Sequence, residues 1–64
     1  MPDLWTREEV DEAKATADVS DDKTRAIFDQ GTSPANGLQA AKELLGDDVE
    51  FSHFAGNYPV YTTG

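Results

Sequence analysis

The chain has 64 residues, a length that allows one domain with a single small core. Thirteen acidic residues against five basic ones give a net charge of −8, which disfavours contact with nucleic-acid phosphates and anionic lipid. The absence of cysteine excludes disulfides and thiolate metal sites, so packing, helix caps or a partner must stabilise the fold.

The first ten residues, MPDLWTREEV, have neither the basic nor the apolar region of a secretory signal. No apolar run approaches the ~20 residues that span a membrane, so we expect a cytoplasmic protein. Eight acidic and two basic residues fall within the first 22 positions, where most of the negative field is expected. This charge is compatible with a binding site, with a solubility feature, or with adaptation to a high-salt cytoplasm.

The first predicted element is a helix over residues 7–18. Thr6 and Glu9 have the spacing of a capping box, in which the cap and a later carboxylate satisfy free amides. Val10 and Ala13 recur on one side at helical spacing and are expected to face the core. The opposite side is an acidic ridge of Glu8, Asp11 and Glu12.

A second helix is predicted over residues 21–30. Ser20 is a suitable N-cap, and Gly31 is a typical residue after a helix end. Acidic residues in the first turn favour a helix because they complement the positive end of its dipole. Three acidic residues around this start, Asp18, Asp21 and Asp22, are expected to extend the acidic surface.

A third helix is predicted over residues 34–45, because Ser33 followed by Pro34 is a typical start and Gly46 a typical end. Gly37 lies inside this helix and costs ~1 kcal/mol relative to alanine. Either a close approach by another backbone or simple tolerance would explain it.

The C-terminal segment predicts a β-hairpin with strands over residues 49–55 and 58–63. Gly56-Asn57 suits a type II′ turn, which pairs Phe54 with Pro59. Continued without interruption, this register places Val49, Phe51, His53, Tyr58 and Val60 on the core face. Three other residues, Phe54, Pro59 and Tyr61, would then form an outward patch.

The predicted fold class is therefore α+β, a single domain of three short helices followed by a hairpin. This element order resembles that of winged helix-turn-helix proteins, and the segment ADVSDDKTRAIFDQ also resembles a helix-turn-helix. The resemblance implies DNA reading by helix 34–45 and the hairpin tip. That helix carries Lys42 as its one basic residue, so DNA binding is expected only in a high-salt host or with a basic partner.

No catalytic, cofactor-binding or metal site is expected. His53 is the single imidazole, and the serines lack the sequence pattern of an activated nucleophile. The glycines read as caps and turns and do not form a phosphate-binding loop. We therefore predict a protein that is not an enzyme.

The leading hypothesis is a small acidic protein-binding module that engages a basic surface, such as that of a nucleic-acid-binding protein. In its sharper form it is an inhibitor that mimics nucleic-acid charge, similar in composition to the anti-restriction and anti-CRISPR proteins of phages. The alternatives are a winged-helix-like DNA-binding regulator from a high-salt host and a structural subunit that assembles through its hairpin edge, for which a homodimer is one form. The predicted partner contacts are Glu8, Asp11, Glu12, Asp18, Asp21, Asp22, Phe54, Pro59 and Tyr61.

Overall fold

The computed structural model describes residues 5–63, which form two helices and a four-stranded antiparallel sheet. The sheet has the order β1-β2-β4-β3, so β1 and β3 are its two edges. The fold is mixed α+β, and the prediction of three helices followed by a hairpin is wrong. The elements are α1 Arg7–Thr16, β1 Asp18–Val19, β2 Arg25–Ile27, α2 Pro34–Leu45, β3 Val49–Ala55 and β4 Tyr58–Thr63.

The segment predicted as a helix over residues 21–30 is a tight turn followed by β2. The Asp22 carboxylate accepts hydrogen bonds from the Ser20 hydroxyl at 2.6 Å and from the Thr24 amide and hydroxyl at 3.2 and 2.8 Å. Lys23 takes a positive φ of 55°, which no helix permits. Short polar side chains bind nearby backbone groups, and this local bonding favours a turn over a helix.

The first helix is also shorter than the predicted range of 7–18. It ends at Thr16, because Asp18 and the residue after it pair with β2 as an edge strand. Since β1 and β2 replace a helix, the described residues lack the three helices of a winged helix-turn-helix, and the predicted winged-helix-like element order is wrong.

The second helix of the fold, α2, has the bounds predicted for residues 34–45. The Ser33 hydroxyl accepts a hydrogen bond from the Asn36 amide at 3.2 Å and caps the helix. At the start of α1, the Thr6 hydroxyl likewise accepts a bond from the Glu9 amide. The Thr6 amide donates to the buried side chain of Asn36 at 3.0 Å, so the two helix starts are joined.

The structure is layered, with α2 packed on one face of the sheet and α1 packed on α2. The Glu43 carboxylate of α2 joins the helices, because Arg7 and Lys14 of α1 both donate to it at 2.8–2.9 Å. The opposite face of the sheet carries no helix of the described residues. The hydrophobic core consists of Val10, Ala13, Ala26, Phe28, Ala40, Ala41, Val49 and Tyr61.

The hairpin of β3 and β4 begins with the predicted register, which pairs Phe54 with Pro59 and His53 with Val60. The register then shifts between Phe51 and His53, so Phe51 pairs with Tyr61 and not with Thr62. This β-bulge at Ser52 inserts one residue into β3 and changes which side chains share a face.

The bulge reverses the predicted faces of most hairpin residues. Pro59 and Tyr61, predicted to point outward, are buried under α2, whereas Tyr58 and His53, predicted to face the core, are exposed. Alternation along β4 also puts Val60 on the face opposite Tyr61, where it is nevertheless buried. The outward patch predicted from a regular ladder is therefore wrong in two of its three residues.

Candidate protein-binding groove

A groove of about 1040 Å³ runs between α2 and the β3–β4 hairpin. Seven apolar residues line it, two from α2 and five from the hairpin. We call this surface the aromatic groove, and its apolar lining is Pro34, Leu38, Val49, Phe51, Phe54, Pro59 and Tyr61.

Two phenylalanines of β3 are exposed in this groove. Phe51 is 46 % exposed and Phe54 is 60 % exposed, although both lie on the face of the sheet that α2 covers. Their ring centroids are 5.1 Å apart, so they form one continuous apolar surface. They remain exposed because β3 is an edge strand and α2 covers its neighbour β4 more fully.

The exposed rings are connected to the core through Tyr61. Its ring packs edge-on against Phe51 at 5.5 Å on one side and against Phe28 at 5.4 Å on the other. The Tyr61 hydroxyl donates a hydrogen bond to the Pro34 carbonyl at 3.2 Å, which ties the hairpin to the start of α2. Burial raises the pKa of Tyr61, so this hydroxyl stays protonated and able to donate. The groove thus rests on a rigid, packed base.

Gly37 explains how Tyr61 fits beneath α2. A Cβ atom built at this position would lie 2.8 Å from the Tyr61 hydroxyl oxygen and 3.0 Å from its ring. Real Cβ atoms do not come so close to other heavy atoms, so only glycine lets the helix lie directly on this ring. The sequence alone left open a close approach by another backbone or simple tolerance; the structure shows instead a close approach by a side chain, that of Tyr61.

The groove has an acidic end. The connection from α2 to β3 contributes Asp47 and Asp48, and Glu50 follows on β3, whereas Lys42 is the basic residue of the lining. This excess of negative charge lies beside the exposed rings. A segment that entered the groove would be favoured by basic side chains near Asp47 and Asp48.

The acidic ridge on α1 is exposed as predicted, and its charge is only partly compensated. Arg7 binds both Asp11 and Glu43, while Lys14 binds Glu43 at 2.9 Å. The bonds from Arg7, Lys14 and Gln39 hold the pKa of the Glu43 carboxyl well below its usual range. Arg7 and Lys14 therefore both bind Glu43 of α2, and only Arg7 also binds a residue of the ridge, Asp11. The ridge keeps a net negative charge.

The structure does not bring all the predicted contact residues together. Asp18 lies on β1, at the sheet edge opposite β3, and Asp21 and Asp22 lie in the adjoining turn. Hydrogen bonds from Ser20 and Thr24 lower the pKa of Asp22, whose carboxylate organises this turn. The acidic residues of the β1–β2 end and the aromatic groove are thus separate surfaces.

The groove unites Phe54, Pro59 and Tyr61, but the last two are buried in its base and only the phenylalanine is exposed. Phe51 and Leu38 were missed as surface residues, since a regular register assigned the former to the core. The sequence gives no direct signal for the bulge that exposes Phe51. The predicted hairpin did, however, indicate that one of its strands would be available for pairing with a partner.

Few side chains of residues 5–63 are suited to catalysis or to metal binding. His53 is exposed on β3, and its Nδ1 lies 2.9 Å from the Ser52 hydroxyl. In the described part of the chain, no three histidine or acidic side chains are grouped so that they could hold a metal ion. Neither described helix has the length and apolar character needed to cross a membrane.

The chain was also compared with known proteins. No protein-family model matches it, and no curated protein or solved structure matches it either. Function is therefore inferred from the geometry and charge of the surfaces described above.

Proposed function

We propose that the protein is a non-enzymatic binding module that holds another protein in its aromatic groove. The observation that supports the proposal most strongly is the exposed pair Phe51 and Phe54. Their rings contact each other, and Phe51 also packs against the buried Tyr61. Rigid aromatic residues in concave surfaces are common anchors of protein interfaces, since they bury large area at small entropic cost.

The two phenylalanines supply binding energy in proportion to the area a partner covers. Burying a whole phenylalanine side chain contributes about 1.5–3 kcal/mol, so each half-exposed ring has on the order of 1 kcal/mol left to contribute. Phe51 already packs against Tyr61, and Phe54 packs against Phe51, so less side-chain entropy would be lost on binding than for free rings. The groove is thereby preorganised for a partner.

The net charge of −8 favours a partner with a basic surface. Opposite charges accelerate encounter and weaken binding as salt rises, while the apolar contact changes little with salt. We expect capture of the partner to decrease with salt but to depend on the groove at every salt concentration.

The test is capture of partners on the immobilised protein at low and high salt, with matched variants. Phe54→Ser should weaken capture by roughly fivefold, because it removes the most exposed ring of the groove, which contributes on the order of 1 kcal/mol. Tyr58→Ser is the control, since Tyr58 is a 45 % exposed aromatic residue on the opposite face of the same hairpin. Equal loss in both variants, or no loss in either, would contradict the proposal.

Charge mimicry is a second candidate, favoured by the engagement of Arg7 and Lys14 with Glu43. It makes the acidic ridge the contact surface of an inhibitor that occupies a nucleic-acid-binding site. A variant with Glu8→Gln, Asp11→Asn and Glu12→Gln should then lose both capture and its salt dependence. Unchanged capture and salt dependence in this variant would eliminate the mimic.

A further inference from the structure

We infer that the occupant of the aromatic groove is an extended, basic segment of the partner, which adds to the sheet as a fifth strand beside β3. This inference rests on the proposed function and specifies what the groove binds. It also predicts the sequence of the segment, in which apolar residues at alternate positions are separated by basic ones.

Among residues 5–63, no strand pairs with the outer side of β3, and the backbone directions of the hairpin show which groups are available there. The Pro59 carbonyl accepts from Phe28, and the Thr63 amide donates to Thr24, so these residues of β4 point toward β2. Tyr61, between them, points the same way by alternation. Their partners on β3, which include Phe51 and Phe54, therefore direct their own N–H and C=O groups away from β4.

The same two residues carry the exposed rings. A segment that formed hydrogen bonds with the backbone of Phe51 and Phe54 would place its own paired side chains on the groove face. Those side chains would contact the rings, so they should be apolar. The intervening side chains would lie on the other face, beside Glu50 and His53.

Charge decides between a basic segment and a second copy of this chain. A second copy would bring another net charge of −8 to an edge that already has Asp47, Asp48 and Glu50 near one end. Basic residues on the other face would instead meet Glu50, and a basic residue at the end of the segment would meet Asp47 and Asp48, which favours a foreign strand over self-pairing. The bulge at Ser52 further hinders a long regular pairing between two identical edges.

The experiment uses the full chain labelled with ¹⁵N and a nine-residue probe peptide in which lysine alternates with valine and phenylalanine. Binding should shift the amide resonances of Phe51 and Phe54 and slow their hydrogen exchange. A peptide with glutamate in place of lysine should bind at least about tenfold more weakly.

Two N-methylated peptides of equal composition separate strand addition from simple adhesion. Methyl groups on the amides of the apolar residues block the edge that faces β3, and should weaken binding about tenfold or more. Methyl groups on the lysine amides block the opposite edge and should have little effect. The Phe54→Ser variant should lose binding of the parent peptide, and Tyr58→Ser should retain it.

Equal binding of both methylated peptides would overturn strand addition while leaving the groove as a protein-binding site. Absence of parent binding at millimolar concentration would also overturn the inference, and capture that still depends on Phe54 would then preserve the proposed function. Concentration-dependent shifts at Phe51 and Phe54 without peptide would show that a second copy occupies the edge, which contradicts the inference.

Discussion

Replacing Gly37 with alanine should destabilise the protein, although alanine is the better helix former. In an exposed helix interior this change would stabilise by about 1 kcal/mol. Here the new methyl group would lie 2.8 Å from the Tyr61 hydroxyl and 3.0–3.1 Å from two ring carbons. The sign of the effect therefore depends on whether Tyr61 can move away.

Tyr61 has little freedom to move, because it is 2 % exposed and packed between Phe28 and Phe51. Overpacking of this kind costs about 1–3 kcal/mol, and losing the hydrogen bond to Pro34 costs about 1 kcal/mol more. After subtraction of the propensity gain of about 1 kcal/mol, the net loss is about 1–3 kcal/mol. A domain of this size has a total stability of roughly 3–10 kcal/mol, so the variant should remain folded.

The assay is urea unfolding followed by far-UV circular dichroism. With a slope of about 1 kcal/mol per molar urea, the midpoint should fall by roughly 1–3 M. Gly31→Ala is the control, since a Cβ there meets no atom within 4 Å, and it should be neutral or slightly stabilising. A Gly37→Ala variant as stable as the wild type, or more stable, would refute the close approach of Tyr61.

Two further predictions concern charge and the groove. Glu43→Gln should flatten the dependence of stability on pH in acid. The bonds from Arg7 and Lys14 hold the pKa of Glu43 below its ordinary value of 4.5, so its contribution is present above that pH and is lost as the pH falls. Thermal unfolding at several pH values measures this, and Glu12→Gln controls for the loss of one charge; equal slopes in wild type and Glu43→Gln would contradict it. Phe54→Ser should change the free energy of unfolding by no more than about 0.5 kcal/mol, because the ring is mostly exposed, and a large loss of stability would mean that it belongs to the core.

Local sequence signals predicted those parts of the fold that depend on neighbouring residues. Ser33-Pro34 marked the start of α2, and Gly56-Asn57 fixed the first pairs of the hairpin. Gly56 has a positive φ of 68°, as the first central residue of a type II′ turn requires. Among the described non-glycine residues, Lys23 alone has a positive φ, so Asn57 has none, which also fits this turn type.

The errors arose where distant contacts decide the structure. A serine and two aspartates read equally well as a helix start and as a turn, and pairing with β4 selects the turn and β2. Nothing local marks the bulge at Ser52, which depends on how the hairpin fits under α2. The exposed Phe54 of the candidate site was predicted, but its neighbour Phe51 and the shared groove required the three-dimensional structure.

The bulge at Ser52 makes β3 sensitive to its exact length. In a regular strand, side chains alternate between the two faces of the sheet, so a shift of one residue exchanges the buried and exposed side chains. In β3 this alternation is interrupted at the bulge. Phe51 and Phe54, which are three positions apart, therefore lie on the same face. Deleting Ser52 would remove the bulge and leave Phe51 and Phe54 two positions apart, so a regular strand would keep the two rings on one face. A regular strand of the present length would instead put them on opposite faces. The binding surface therefore depends on the bulge as well as on side-chain chemistry.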